Sequence, residues 1–542
     1  MGCLERGRAF VGAVPVQPPL DARPASRYGF CMSNAAAATR PISAVSSLTI
    51  PAAWLLGLLA GWLLLDQCLL WLFLGHVWLA VLAPVTLVLV RWFVGQSSSL
   101  GSIPLVRVGI CFAFAAIILV LGGEGNWLYA NTDWQVRDAV LRDMAINPWP
   151  FAYLQHGALS LLRAPLGMYL LPALAWKAGG ESVGTITLLV QNSIMLGTLL
   201  ALGSQLYDSA KARVLALVVV VGFSGLDWLG NLLVGQGPLD HLEGWLPGLE
   251  FSSTITLAFW VPQHAFAGWL AGLAFMLHRA GKIGLAPFLA IIPLTALWSP
   301  LGLIGAMPWA ALAGWRALRE RSLHWRDFVL PAITSLIVLP CLSYLSAAGD
   351  SVGMQAYPVP GLYFLIFELI EVVPWLLPVL ALNAQSRFGR EVPLCIAAIL
   401  IVLPHVQIGW GLDLMMRASI PTLTILAVSA ADIVVVAPSW TKPGWHWWLA
   451  AVAVLGWPTG GHEIARAFAH PVSGYGSCNL LELWNLAGED IPNVTYVAPL
   501  EKTPHWLVAG RVTPVAVNHQ TRCWNQPWYK PPDAPDVVLG QN

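Results

Sequence analysis

The fold class that this chain predicts is an all-α polytopic membrane protein, on two observations of composition and one of charge order. Of its 542 residues, 57% are hydrophobic and only 10% charged, with a mean hydropathy of +0.67; a soluble domain is roughly 25% charged. The 28 tryptophans suit a protein that lines two water–lipid interfaces. Lys and Arg recur in alternate loops, as the orientation of a multi-pass chain requires. Formal net charge is zero and no basic run stands out, so no nucleic-acid partner is expected.

Taken in order, residues 1–48 are rich in Ala, Pro, Ser and Arg and read as a disordered cytoplasmic tail. A helix needs roughly 20 apolar residues to cross a hydrocarbon core of about 30 Å. Cutting the apolar runs at charges, prolines and glycines gives thirteen candidate spans in a transmembrane domain of residues 49–458. They are 52–73, 77–95, 105–122, 183–204, 213–232, 256–277, 283–298, 301–316, 328–346, 360–382, 392–409, 414–436 and 444–458. With the N-terminus inside, the inner loops hold Arg91 and Arg107, Lys211 and Arg213, Arg279 and Lys282, Arg319 and Arg326, Arg387 and Arg390, and Lys442. The outer loops 233–255 and 347–359 contain Asp240, Glu243, Glu250 and Asp350 and no Lys or Arg. The large loop 123–182 then lies outside. So does the segment 459–542, which loses hydrophobicity and gains Pro, Asn and charge. Its two cysteines, Cys478 and Cys523, meet an oxidising space in which a disulfide is expected.

A charge in lipid costs several kcal/mol, so charges at or within spans are paired, water-facing or functional. Asp133 with Arg137 and Asp138 with Arg142 are i,i+4 pairs, and Trp134, Val140, Leu141 and Met144 supply an apolar side. This stretch reads as an amphipathic helix along the outer interface, ended by Pro148 and Pro150. Its bland reading is a surface helix with solvated ion pairs; its sharper one is that Asp133 accepts a proton from an incoming hydroxyl. Asp227 nears the outer end of its span, and Asp240, His241 and Glu243 crowd the next loop, a set able to hold a divalent cation or to hydrogen-bond a sugar. Gln263 and His264 follow the helix-breaking Pro262. Asp413 and Arg417 form a further i,i+4 pair, and the guanidinium suits a phosphate. Glu368 and Glu371 stand inside one span as candidate proton sites.

The stretches TDW…RDAVLRDM, YLLPALAWK, FSGLDWLG, HLEGW, SSTITLAFWVPQHAFAGWL and GLDLMMRASIP, in that order, resemble a family of bacterial multi-spanning membrane proteins. These are in turn similar to the GT-C glycosyltransferases, which use polyprenyl-phosphate-linked sugar donors. The resemblance covers about residues 120–440 and implies a bacterial cytoplasmic membrane location, with the C-terminus outside. It implies that Asp133, with Asp138 as the alternative, is the catalytic acid of the first large outer loop, followed by an interfacial helix at 135–145 or 165–178. This chain departs from the pattern in having its acidic loop after the third span and in lacking the paired acidic signature of metal-dependent members. The expected function is transfer of a sugar to a glycan, lipid or protein acceptor. Asp133 is the base, Arg417 with Arg137 or Arg163 faces the lipid phosphate, Asp227, His241 and Glu243 hold the sugar, and Arg142, Gln263, His264 and Asp413 are further substrate-binding candidates. The alternative is a transporter or flippase of a lipid-linked substrate that uses Glu368 and Glu371.

Overall fold

The computed structural model describes residues 48–235, 241–349, 353–409, 412–436, 444–472, 474–487, 496–520 and 522–524, apart from the side chains of 80–83. The expected tail, save Leu48, and the metal candidate Asp240 lie outside the described residues.

The chain is mostly helical, as its composition predicts. Strand β1 (Thr49–Pro51) leads into α1 (Ala52–Phe73), an apolar helix with most sides covered by neighbours. The return stroke, expected as one helix over 77–95, is a 3-10 stretch, Val77–Leu82, followed by α2 (Ala83–Gln96). Pro84 stands in the first turn of α2, where its missing N–H costs least. β2 (Ser102–Pro104) pairs antiparallel with β1 and hands the chain to α3 (Leu105–Leu121).

The large loop 123–182 is built from α4 (Asp133–Ile146), the hairpin β3 (Phe151–Gln155) and β4 (Ala158–Leu162), and α5 (Leu170–Gly179). The two-residue hairpin turn has φ +50° at His156 and +79° at Gly157, the left-handed geometry that matches strand twist. α6 (Glu181–Gly203) follows.

Several expected spans are broken helices. The 213–232 run is α7 (Ala210–Val221) and α8 (Asp227–Leu233), parted by Gly222-Phe223-Ser224-Gly225-Leu226. The 256–277 run is α9 (Thr254–Trp260) and α10 (Pro262–Arg279), parted at Val261, because Pro262 has no N–H for the helical ladder. Then come α11 (Leu285–Leu294), α12 (Pro300–Arg319), α13 (Arg326–Leu345) and β5 (Met354–Ala356). α14 (Gly361–Glu371) and α15 (Val373–Ala381) meet at 66°, with Pro374 at the bend. α16 (Glu391–Val402) leads to β6 (Val406–Ile408), then the short α17 (Asp413–Ala418) and α18 (Ile420–Val436). By length and composition, three helices among the described residues suffice to cross a membrane: α1, α6 with its 3-10 extension to Leu206, and α13. The α14–α15 pair makes a fourth, and five shorter apolar helices of 10–17 residues stand beside them.

The last expected boundary, 458/459, is corrected: α19 (Trp445–Ala469) runs straight through it. Pro458 does not stop the helix, and Glu463 and Arg466 are buried on it. The segment beyond is no free-standing module. α20 (Leu480–Ala487), β7 (Val497–Pro499) and β8 (Thr513–Ala516) fold onto the loop that holds β3 and β4, giving a four-stranded sheet in the order β7-β4-β3-β8. β8 runs parallel to β3, pairing Phe151 with Thr513 through Leu154 with Ala516, while β7 is antiparallel to β4. Sheet pairing between regions some 350 residues apart was not part of the helical expectation, since three-residue strands carry no readable period. Cys478 and Cys523 are disulfide-bonded.

Asp143 is the hinge pin of this docking. It is fully buried, and its Oδ2 accepts from Tyr153 Oη at 2.6 Å on β3 and from the Leu480 backbone N–H at 2.9 Å at the start of α20. Burial pushes its carboxyl up to about 7, against the pull of these hydrogen bonds. A buried carboxyl that titrates at about 7, against about 4 when unfolded, takes up a proton on folding. Its contribution to stability is therefore complete in acid and is lost as pH rises from about 4 to about 7. An amide oxygen can accept both hydrogen bonds, so Asp143→Asn is expected to fold and to flatten the dependence of melting temperature on pH across that window. A variant whose pH profile equals that of the parent chain would refute the assignment.

Candidate functional site

The site begins at the break between α9 and α10. A continuous helix would use the Phe259 and Trp260 carbonyls for the N–H groups four residues on; the break leaves both free. α4 takes them. Asn131 Nδ2 and Trp134 Nε1 each donate to Phe259 O at 2.9 Å, and Arg137 Nε donates to Trp260 O at 2.9 Å. Asn131 Oδ1 accepts the Asp133 backbone N–H at 3.1 Å, fixing the start of α4. The helix expected on the surface is thus an inner wall: Trp134, Gln135, Arg137, Asp138, Val140, Leu141 and Met144 are buried.

Between this wall and its neighbours lies a cavity of about 330 Å³. α4 presents Asp133, Val136, Arg137 and Val140 to it, and the turn after β4 adds Ala164, Pro165 and Tyr169. The loop before α9 supplies His241, Glu250 and Ser252, and the helix break supplies Trp260, Val261 and Gln263. α17 contributes Asp413, Met416 and Arg417, and the C-terminal segment closes the ring with Trp484 and Tyr496. α17 comes this near because Gly305 of α12 has no side chain; a Cβ there would stand 2.0 Å from Ala418 O.

Six of the residues singled out from sequence therefore share one chamber: Asp133, Arg137, His241, Gln263, Asp413 and Arg417. Asp133 Oδ2 accepts from Arg137 at 2.9 Å with its side chain 40% exposed, so the carboxylate is held yet open to the cavity. Burial pulls the Arg137 guanidinium down, but Tyr169, Asp133 and Tyr496 outweigh it and leave a net rise above its usual range. Arg417 is paired with Asp413 and nearly buried.

Other predicted residues stand elsewhere. Asp138 is buried and does not line the cavity; Arg142 lies 3.9 Å from Asp143 rather than in the expected pair with Asp138. The Asp138–Arg142 spacing failed as a guide because Asp138 turns into the protein while Arg142 stays near its surface. Arg163 donates to the Ala347 carbonyl beyond the end of α13. His264 faces Ser299 Oγ at 2.9 Å in a packed interior. Asp227 accepts from Ser224 Oγ at 3.1 Å and Thr459 Oγ1 at 2.7 Å. Glu371, buried near Asp227, accepts from Trp245 Nε1 at 2.8 Å, and neither it nor Glu368 lines the cavity.

His241 sits in a nest of acids. Its Nε2 is 3.4 Å from Glu250 Oε1 and 3.9 Å from Glu243 Oε2, and its Nδ1 is 3.5 Å from Glu463 Oε1. Burial pulls the imidazole pKa down, but its hydrogen bonds to Glu250 and Glu463 and the charges of Glu250 and Glu243 outweigh it and leave a net rise. Burial pushes Glu243 up to about 8. The ring packs on Trp260 at 4.5 Å between centroids, and Trp260 Nε1 donates to Glu463 Oε2 at 2.9 Å. Glu463, Trp260, Tyr169, Trp484 and Tyr496 were missed from sequence. Only Glu463 and Arg466 carried a signal, an i,i+3 charged pair just past an apolar run. Compared with family models, with curated proteins and with solved structures, the chain matches none.

Arg137 ties the wall to the helix break through a fork that lysine lacks. Arg137→Lys is expected to keep the charge, lose one of the two hydrogen bonds and cost roughly 1–3 kcal/mol, read as a lower melting temperature in detergent. An unchanged melting temperature would show that the Trp260 carbonyl holds nothing in place.

Proposed function

We propose that this chain is an integral membrane glycosyltransferase that moves a sugar from a polyprenyl-phosphate-linked donor to an acceptor hydroxyl at the outer face of a bacterial cytoplasmic membrane. The observation that carries this reading is the meeting of Asp133, Arg137 and Arg417 in one cavity, from parts of the chain that lie far apart in sequence. The acceptor is a cell-envelope glycan, a lipid or a protein. Apolar side chains exposed along the helices, among them Leu87, Val88, Val106, Ile110, Val214, Val218 and Leu336, support a lipid surround. On this reading the whole, broken and short apolar helices together make about thirteen crossings, with the N-terminus inside and the C-terminus outside.

The chemistry assigned is a direct displacement. The acceptor oxygen attacks the anomeric carbon as its proton passes to Asp133, and the bond from that carbon to the phosphate oxygen breaks with its electron pair leaving on the phosphate. Arg417 and Arg137 offset the charge gained by the leaving group, which works best where water is excluded. Tyr169, Trp260, Trp484 and Tyr496 supply flat apolar faces with polar edges, suited to the alternating CH and OH surface of a sugar. The transporter reading needs Glu368 and Glu371 on a path for substrate or protons; Glu371 is instead held by Trp245 and stands off the cavity.

Asp133→Asn in membranes supplied with labelled polyprenyl-phosphate sugars is expected to lose at least about a hundredfold in transfer rate, with a melting temperature close to that of the parent chain. Undiminished transfer at normal protein level removes Asp133 as the base.

A further inference from the structure

From the acids around His241 we infer a divalent metal site on the wall of the cavity, held by His241 Nε2, Glu243 Oε2 and Glu250 Oε1. These three atoms lie within 4.8 Å of one another. The edges from the imidazole nitrogen, 3.4 Å to Glu250 and 3.9 Å to Glu243, are close to the roughly 3–3.5 Å that two ligands at about 2.0–2.2 Å from one ion present to each other. One ring N–H cannot serve two carboxylates at once, whereas one cation can.

A second observation points the same way. Glu243 is 1% exposed; its Oε1 accepts the Ser253 backbone N–H at 2.8 Å, but its Oε2, the atom that faces His241, is buried with no hydrogen-bond partner. An orphaned buried carboxylate oxygen is costly unless an ion or a proton meets it. The far side of the ring is prepared as well. Nδ1 faces Glu463 Oε1 at 3.5 Å, and Glu463 is itself held by Arg466 at 3.2 Å and by Trp260 Nε1 at 2.9 Å. A carboxylate behind a ligating histidine fixes its tautomer and turns its other nitrogen lone pair toward the metal. Three carboxylates, Glu243, Glu250 and Glu463, against His241 and Arg466 leave room for added positive charge.

Imidazole with two carboxylates suits Mn²⁺ or Zn²⁺, and three protein ligands leave positions open. His241 and Glu250 both line the cavity, so those positions face it. Resting on the transferase reading, the metal takes oxygens of the donor phosphate. Glu250 carried no such signal in the sequence, standing nine residues beyond His241.

The test counts metal without substrate. The purified full-length chain in detergent is dialysed against Mn²⁺ and, separately, Zn²⁺, and bound metal per chain is measured by elemental mass spectrometry. Expected is about one ion of either metal per chain, weakened at least tenfold in Glu250→Gln and in Glu243→Gln and unchanged in Asp133→Asn. Should Glu243→Gln misfold, Glu250→Gln, on a partly exposed side chain, decides alone. No stoichiometric metal, or metal retained in Glu250→Gln, overturns the site and leaves an ion-pair cluster around a protonated His241. Metal bound as expected with no sugar transfer by the parent chain would sustain the site and sink the transferase.

Discussion

The inner wall of the chamber depends on two carbonyls freed where the helix breaks before Pro262. Breaking the helix at Val261 frees Phe259 O and Trp260 O, and three side chains at and just before α4, from Asn131, Trp134 and Arg137, satisfy them. A buried carbonyl left unpaired costs on the order of 1–3 kcal/mol, so the break and the docking of α4 stabilise each other. The same contact sets the positions of Asp133 on one side and of Trp260, with His241 packed on it, on the other.

The second constraint is closure from the C-terminal side. α20 and the strands around it are too short to stand alone, and they gain stability by extending the β3–β4 hairpin and by the Cys478–Cys523 bond. Asp143 links both halves of this arrangement with a single oxygen. Trp484 and Tyr496 reach the cavity as a result, their rings 4.9 Å apart, and a wall of the site is thereby tied to whether the C-terminal segment is folded.

Charged pairs behaved according to their surroundings rather than their spacing. Asp133–Arg137, Asp413–Arg417 and Asp138–Arg142 share the same i,i+4 interval, yet the first two line the cavity as pairs and the third does not form. Spacing says which side chains can meet along a helix; burial decides whether they must.

Composition and charge order by themselves determined the helical class, most helix positions to within a few residues, and six of the cavity's polar residues, because apolar length and charge are properties of short windows of sequence. Proline and glycine marked the breaks at 222–226 and 261, but not that a break would be the docking point for another element. Only the tertiary structure decided that α4 is an inner wall, that α19 runs on to deliver Glu463 and Arg466, and that two three- or four-residue strands from the far end complete a sheet. Those are contacts between residues hundreds of positions apart, and neither three-residue strands nor a lone glutamate carry a period that could announce them. Asp133 was legible as one half of an i,i+4 charged pair at the start of a helix. Its partners His241, Arg417, Trp484 and Tyr496 became one site only when folding brought them around the same space.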